Sequence, residues 1–163
     1  MKKFLLLVSL TIIFISCSST KKTTSSQKRR IHHTKKISKT DKIIRTALSF
    51  KGTKYKYGGT SQNGMDCSGL VFTSFLKENI TLPRVSSAMA KVGERISLHD
   101  IKKGDLLFFK TSRKNRINHV GIVTSIKNGR IKFVHSSSSK GVIESFLSEK
   151  YWKKAYSKAK RIL

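Results

Sequence analysis

Cys67, His119 and His135 have the residue types of a hydrolytic site. Cys67 stands in Asp66-Cys67-Ser68-Gly69-Leu70-Val71, His119 opens His119-Val120-Gly121-Ile122, and His135 closes the apolar run of Val134-His135-Ser136. A thiol with an unperturbed pKa of about 8.5 is mostly protonated at neutral pH, so it needs an adjacent base or a positive environment to become a nucleophile. A helix N-terminus supplies the second and an imidazole the first. The same residues also fit a plainer role, since free cysteines are often small buried hydrophobes and histidines often sit satisfied in cores.

For these side chains to meet, a helix start and two strands must converge. Thr40 is the expected cap of a first helix on which Ile43, Ile44, Ala47 and Leu48 recur at helical spacing, with Gly52 ending it. Residues 53–66 read as a loop carrying Tyr55, Tyr57, Gly58-Gly59 and Asn63-Gly64, whose glycines allow turns and close approach of another chain. Asp66 caps a second helix over residues 67–78, with Leu70, Val71, Ser74 and Phe75 inward. Cys67 then lies in the first turn, where the dipole favours thiolate. After the turn Lys103-Gly104-Asp105 come short apolar runs at 106–109, 119–124 and 130–135. The last two are joined by Lys127-Asn128-Gly129, a hairpin signal. Residues 136–140 read as a loop, and Val142-Ile143 and residues 159–163 as further strands. Helices first and antiparallel strands later is the α+β order, N-terminal helices packed on a C-terminal antiparallel sheet.

The N-terminus sets the compartment. Lys2 and Lys3 precede an apolar run over residues 4–15, too short for a span of about 20 residues and suited to a secretory signal over residues 1–16. Cys17 follows at once and resembles a lipobox cysteine, with Phe14 where that pattern prefers Leu; lipidation at Cys17 is the expectation. The chain has only 2 cysteines, so a lipidated Cys17 leaves Cys67 as the lone exported thiol. An oxidising envelope normally pairs structural cysteines, and an unpaired one there reads as a reactive group. Residues 17–40 are rich in Ser, Thr, Lys and Arg and read as a flexible basic linker, His32 and His33 included as solvated side chains. The 163 residues hold 35 Lys and Arg against 8 Asp and Glu, a formal net charge of +27. Such charge usually points to nucleic acid; the export signal excludes that partner and leaves lipid head groups and surface or wall polymers.

Tyr55-Lys56-Tyr57-Gly58-Gly59, Asp66-Cys67-Ser68-Gly69, Lys103-Gly104-Asp105-Leu106-Leu107-Phe108-Phe109, His119-Val120-Gly121-Ile122 and Phe133-Val134-His135-Ser136 together resemble the NlpC family of papain-like cell-wall cysteine peptidases over residues 41–163. The tail from Tyr151-Trp152-Lys153-Lys154 resembles its Spr-type murein endopeptidase lipoproteins. The resemblance implies a papain-like fold and hydrolysis of peptidoglycan stem peptides or cross-links, at D-alanyl–diaminopimelate or D-glutamyl–diaminopimelate bonds. It implies Cys67 as nucleophile, His119 as base and His135 as the residue that orients His119. Tyr57 corresponds to a tyrosine near the oxyanion, with loop packing as the alternative. Ser68 either shapes the substrate site or continues the helical turn, and Asp66 is a cap. Arg84 in Arg84-Val85-Ser86 either pairs a stem-peptide carboxylate or faces water; Met89 stands where the family often has Gln. His99 is expected to be exposed. No cofactor or metal is expected, and the expected form is a monomer anchored by lipid to the outer membrane, facing the periplasm, with an adaptor or regulatory protease restraining it. The rivals are a catalytically silent wall-binding lipoprotein and a papain-like acyltransferase or amidase.

Overall fold

The computed structural model describes residues 37–163; the signal segment, Cys17 and the linker up to residue 36, with His32 and His33, lie outside the described residues. Helix α1 spans Lys39–Ser49, and Ser38 caps it, its hydroxyl accepting from the Asp41 N–H at 3.0 Å. The cap expected at Thr40 is thus two residues late. Capping at Ser38 places Asp41 in the positive first turn, while Thr40 packs its methyl beside Gly104. The following loop folds back as a small ribbon of β1 (Thr60–Ser61) and β2 (Gly64–Met65), and Tyr55 bridges to Met65. Helix α2 spans Cys67–Leu76, two residues shorter than its apolar pattern suggests, and Asn79 beyond it adopts φ 60°. A one-turn helix α3 (Ser86–Met89) and strand β3 (Glu94–Ile96) follow, neither of which the sequence reading anticipates.

The rest is sheet: β4 (Leu106–Phe109), β5 (His119–Lys127), β6 (Arg130–Ser137) and β7 (Gly141–Phe146), then helix α4 (Lys150–Ala155) and β8 (Tyr156–Arg161). The strand order is β3-β8-β4-β5-β6-β7, and every neighbouring pair is antiparallel. The α+β expectation therefore holds. The β5–β6 turn has Asn128 at φ 50° and Gly129 at φ 70°, the left-handed pair that a two-residue hairpin requires. The last strand begins at Tyr156, not residue 159, and the tail before it is helical.

All four residues of β4 are buried, because both faces of the sheet are covered. Leu106 and Phe108 join Ile43, Leu70, Val71, Phe75, Val120 and Ile122 under α1 and α2. Leu107 and Phe109 join Val123, Phe133, Trp152 and Ala155 under α4. Alternation along β5 and β6 puts His119 and His135 on this second face, among the aromatic rings, while Cys67 arrives on α2 from the first.

Gly121, two residues from His119, is dictated by this packing. A Cβ there would lie 2.6 Å from Phe133 Cδ2 and 2.8 Å from the Val134 carbonyl oxygen, with His135 Cβ at 3.2 Å. Because one obstacle is backbone of the paired strand, relaxation must move β6 itself. Gly121→Ala is expected to lose about 2 kcal/mol of stability in urea titration and to lower activity by displacing His135. Wild-type stability in that variant would contradict the packing argument.

Candidate active site

Asp66 anchors the start of α2. Its carboxylate receives the Gly69 N–H at 2.6 Å, the Gly58 N–H at 2.7 Å, the Ser68 hydroxyl at 3.1 Å and the Arg84 guanidinium at 2.9 and 2.8 Å. Burial works to raise its pKa, but the Arg84 and Gly69 hydrogen bonds prevail and hold it below the ordinary carboxylate range. One buried charge thus ties the tyrosine loop, the helix start and the segment before α3 together. Gly69 is required at this crossing, since a Cβ would meet the Gly59 carbonyl oxygen at 2.1 Å.

This changes the reading of two residues. Arg84 is already paired: its guanidinium is engaged with Asp66, the Ser68 hydroxyl (2.9 Å) and the Gly59 carbonyl (3.3 Å), while its side chain stays 34% exposed. A buried carboxylate needs that counter-ion. Ser68 is fully engaged by the same pair. Both still line the groove beside Cys67, as wall rather than as free donors. His99 is solvent-exposed, its side chain 95% accessible.

Behind the thiol lies a pair of imidazoles. His119 Nε2 is 3.1 Å from His135 Nδ1, and His135 Nε2 is 3.3 Å from Ser145 Oγ. Trp152 stacks on His119 with centroids 5.2 Å apart and meets His135 edge-on at 4.5 Å, while Phe133 stacks on the other side of His135 at 4.9 Å. Burial pushes the His119 pKa down to about 4. Burial and the charge of His119 push that of His135 down to about 3. Both rings are therefore neutral at neutral pH. Cys67 is buried as well, and burial pushes its thiol pKa up despite the opposing Val120, Ser68 and Cys67 N–H groups; the Asp66 charge acts in the same direction as burial. The helix dipole, on which a depressed thiol pKa is expected from sequence, is outweighed by the missing water. The thiol's polar contact is the Asn118 carbonyl at 3.9 Å.

Two concavities open around the sulfur. One, of about 450 Å³, runs past His119, His135 and Trp152 to Ser138, Lys140 and Glu149. The other, of about 690 Å³, runs past Asp66 and Arg84 to Arg116. Tyr55, Cys67 and Asn118 line both, so the thiol stands where an extended ligand would cross from one arm to the other. Tyr57 lines only the second arm and is 89% exposed; Tyr55 is the phenol at the junction. Residues two apart share a face of a regular strand, so it is the turn at Tyr57-Gly58, with Gly58 at φ 76° and the Gly59 N–H on the Lys56 carbonyl at 2.9 Å, that carries Tyr57 outward while the Tyr55–Met65 bridge holds Tyr55 inside. Sequence reading also passed over Trp152 and Ser145 as parts of the site, because only the pairing of β5, β6 and β7 and the docking of α4 bring them to the histidines.

With this geometry in hand, the relatives can be compared. The NlpC/P60 family model matches residues 52–161. A probable endopeptidase NlpC homolog of Haemophilus influenzae is 32% identical over the whole of both chains. The Escherichia coli murein DD-endopeptidase MepS/murein LD-carboxypeptidase is 37% identical over 123 residues, which take in 75% of this chain and 62% of that one. The crystal structure of an NlpC/P60 family protein from Bacillus cereus superposes with a TM-score of 0.68 at 31% identity, over 75% of this chain and 39% of that one. The match thus spans less than two thirds of the last two proteins.

The lowered imidazole pKa values set a pH dependence of stability. The unfolded chain takes up protons at its histidines near pH 6.5, whereas the folded chain resists until about 4 and about 3. Stability from this source is complete above pH 6.5 and is lost as pH falls towards those folded values. Thermal unfolding between pH 7 and 4.5, above the range of the buried carboxylates, is expected to show a falling Tm in the wild type and a flatter profile in His135→Asn. Equal slopes in the two proteins would contradict buried neutral rings.

Proposed function

Because the chain belongs to the NlpC/P60 family, we propose that it is a peptidoglycan hydrolase, a cysteine-type murein endopeptidase with Cys67 as nucleophile, His119 as base and His135 as the residue that holds His119. The observation that carries this reading is the 3.1 Å imidazole pair in the cavity that Cys67 also lines. The substrate is a stem peptide or cross-link, cut at a D-alanyl–diaminopimelate or D-glutamyl–diaminopimelate bond. The E. coli relative is a murein DD-endopeptidase, which supports the first. The two arms meeting at Cys67 suit a peptide that continues on both sides of the scissile bond.

In the reaction the neutral thiol passes its proton to His119 Nδ1 as sulfur attacks the carbonyl carbon. The Cys67 N–H at the start of α2 and the Tyr55 phenol are the donors for the oxyanion, of which one can be worth about 3 kcal/mol. Tyr57 then acts at the groove mouth. The His119 imidazolium, donating through Nε2 to His135, returns the proton to the leaving amine and leaves a thioester. Water, deprotonated by the same ring, attacks the thioester, and the acid product departs with the thiol restored.

The envelope reading extends to the segments before residue 37. Residues 1–16 act as a lipoprotein signal, Cys17 carries the lipid, and the basic stretch to residue 40 tethers a monomeric domain to the outer membrane, where an adaptor or protease limits its action. One acyl chain binds membranes only at roughly 10⁴ M⁻¹, so Lys21, Lys22, Lys28, Arg29 and Arg30 reinforce the anchor. Wild type that washes off membranes in high salt would contradict lipidation at Cys17.

Digestion of purified sacculi by residues 18–163, with chromatography of the new termini, tests the activity. Cys67→Ala and His119→Ala are expected to release no muropeptide while unfolding like the wild type, and His135→Asn to retain partial activity because an amide can still accept from His119. Muropeptide release by a folded Cys67→Ala protein would sink the assignment. Binding without cleavage by the wild type would leave a wall-binding protein instead.

A further inference from the structure

A buried chain of hydrogen bonds must be satisfied at both ends, and the relay behind Cys67 has a far end that the chemistry above leaves unexplained. Given Cys67 as nucleophile, on which this inference rests, the direction of the relay is forced. His119 must offer the thiol a bare nitrogen. Its Nε2 faces His135 Nδ1 at 3.1 Å, so Nδ1 is the bare one, and Nε2 carries the hydrogen and donates to His135. His135 Nδ1 is then an acceptor, and a neutral ring must carry its own hydrogen on Nε2. That N–H points at Ser145 Oγ, 3.3 Å away, a buried hydroxyl on β7. In the β6–β7 register Ser145 lies opposite Phe133 and Ile143 opposite His135, so Ser145 shares the face of the sheet that carries the imidazoles. Among the described residues His135 Nε2 has no other hydrogen-bond partner; its remaining neighbours are the Phe133 and Trp152 rings.

We propose that Ser145 is a positioning residue of this relay, its hydroxyl oxygen receiving the His135 Nε2–H and thereby keeping both imidazoles in the tautomer in which His119 is a base. The inverted pair has His135 Nδ1–H donating to His119 Nε2 and places a hydrogen on His119 Nδ1, which then cannot take a proton from the thiol. A hydroxyl can donate as well as accept, so Ser145 permits either pair. Its removal does not treat them equally. The working pair would then bury an orphan N–H, the inverted pair only a bare ring nitrogen, and buried orphan donors are the rarer and costlier defect. Loss of Ser145 therefore turns the relay the wrong way round.

The test compares wild type, Ser145→Ala and the isosteric pair Ser145→Thr and Ser145→Val, with Cys67→Ala alongside. The substrate is the muropeptide that the wild type cuts fastest from a muramidase digest of sacculi. Ser145→Ala and Ser145→Val are expected to lose about ten- to hundredfold in kcat with KM within about twofold of wild type, and Ser145→Thr to recover most of the loss. Ring ¹⁵N spectra are expected to place the hydrogen on Nε2 of both histidines in the wild type and Ser145→Thr, and on Nδ1 in a large fraction of the other two. Should Ser145→Ala fail to fold, the Thr and Val proteins still differ only in the hydroxyl. Equal kcat in Ser145→Thr and Ser145→Val, or unchanged ring spectra, would overturn the proposal while an inactive Cys67→Ala leaves the nucleophile standing. An active Cys67→Ala would overturn the nucleophile and this inference with it.

Discussion

Two imidazoles buried 3.1 Å apart among aromatic rings can share one hydrogen bond only while at least one of them stays neutral, and burial here keeps both neutral. Much of the molecule serves that constraint. The second face of the sheet is lined by Phe109, Phe133 and Trp152, which exclude water from the rings and fix their planes. The β5–β6 pairing, with Ile122 opposite Val134 and a register shift between Val123 and Ser125, leaves His119 diagonal to His135 on the same face. Helix α4, short and basic on its outer side, keeps Trp152 over both rings. In the proposed mechanism a neutral His119 is a competent base, and a neutral buried thiol is inert until a carbonyl and an oxyanion site accompany it.

The other half of the site depends on a charge. Asp66, buried, pairs with the partly exposed Arg84, and the hydrogen bonds of the two reach the loop before α2, the first turn of α2 and the segment leading to α3. Removing Arg84 would leave the Asp66 carboxylate buried without its counter-ion, so this cluster fixes the height at which Cys67 meets the sheet. The aromatic face positions the imidazoles and the ion pair positions the thiol. Tyr55 and Asn118 line both arms of the groove where the two halves join.

Local chemistry made part of this legible from sequence. The cap at Asp66, the inward face of α2 and the Asn128-Gly129 turn are determined by neighbours within a few residues, and each formed where its residues imply. What the sequence leaves open depends on partners distant in it. Which phenol of Tyr55-Lys56-Tyr57 stands at the junction is decided by the Tyr55–Met65 bridge and the turn at Gly58. The choice for Arg84 between a stem-peptide carboxylate and water cannot be made from its neighbours, because Asp66, with which it pairs, lies 18 positions earlier. The dipole at α2 is a local property and predicts a depressed thiol pKa; the burial that reverses it comes from the whole core. Thr40 and Ser38 are both good caps, and packing of Ile43, Ile44 and Ala47 decides between them. The segment holding Trp152 carries no apolar periodicity because one turn of helix is too short to show any.

In the proposed mechanism Cys67 rests as a thiol beside a neutral His119 and is activated only during attack. This is tested by the rate of Cys67 carbamidomethylation by iodoacetamide in the ligand-free protein from pH 5 to 9.5, followed on the Cys67 peptide by mass spectrometry. The account gives a rate that is negligible at pH 5 and climbs with one ionisation above the ordinary thiol value of about 8.5. A plateau of fast alkylation extending down to pH 5 would reveal a preformed thiolate–imidazolium pair and contradict it.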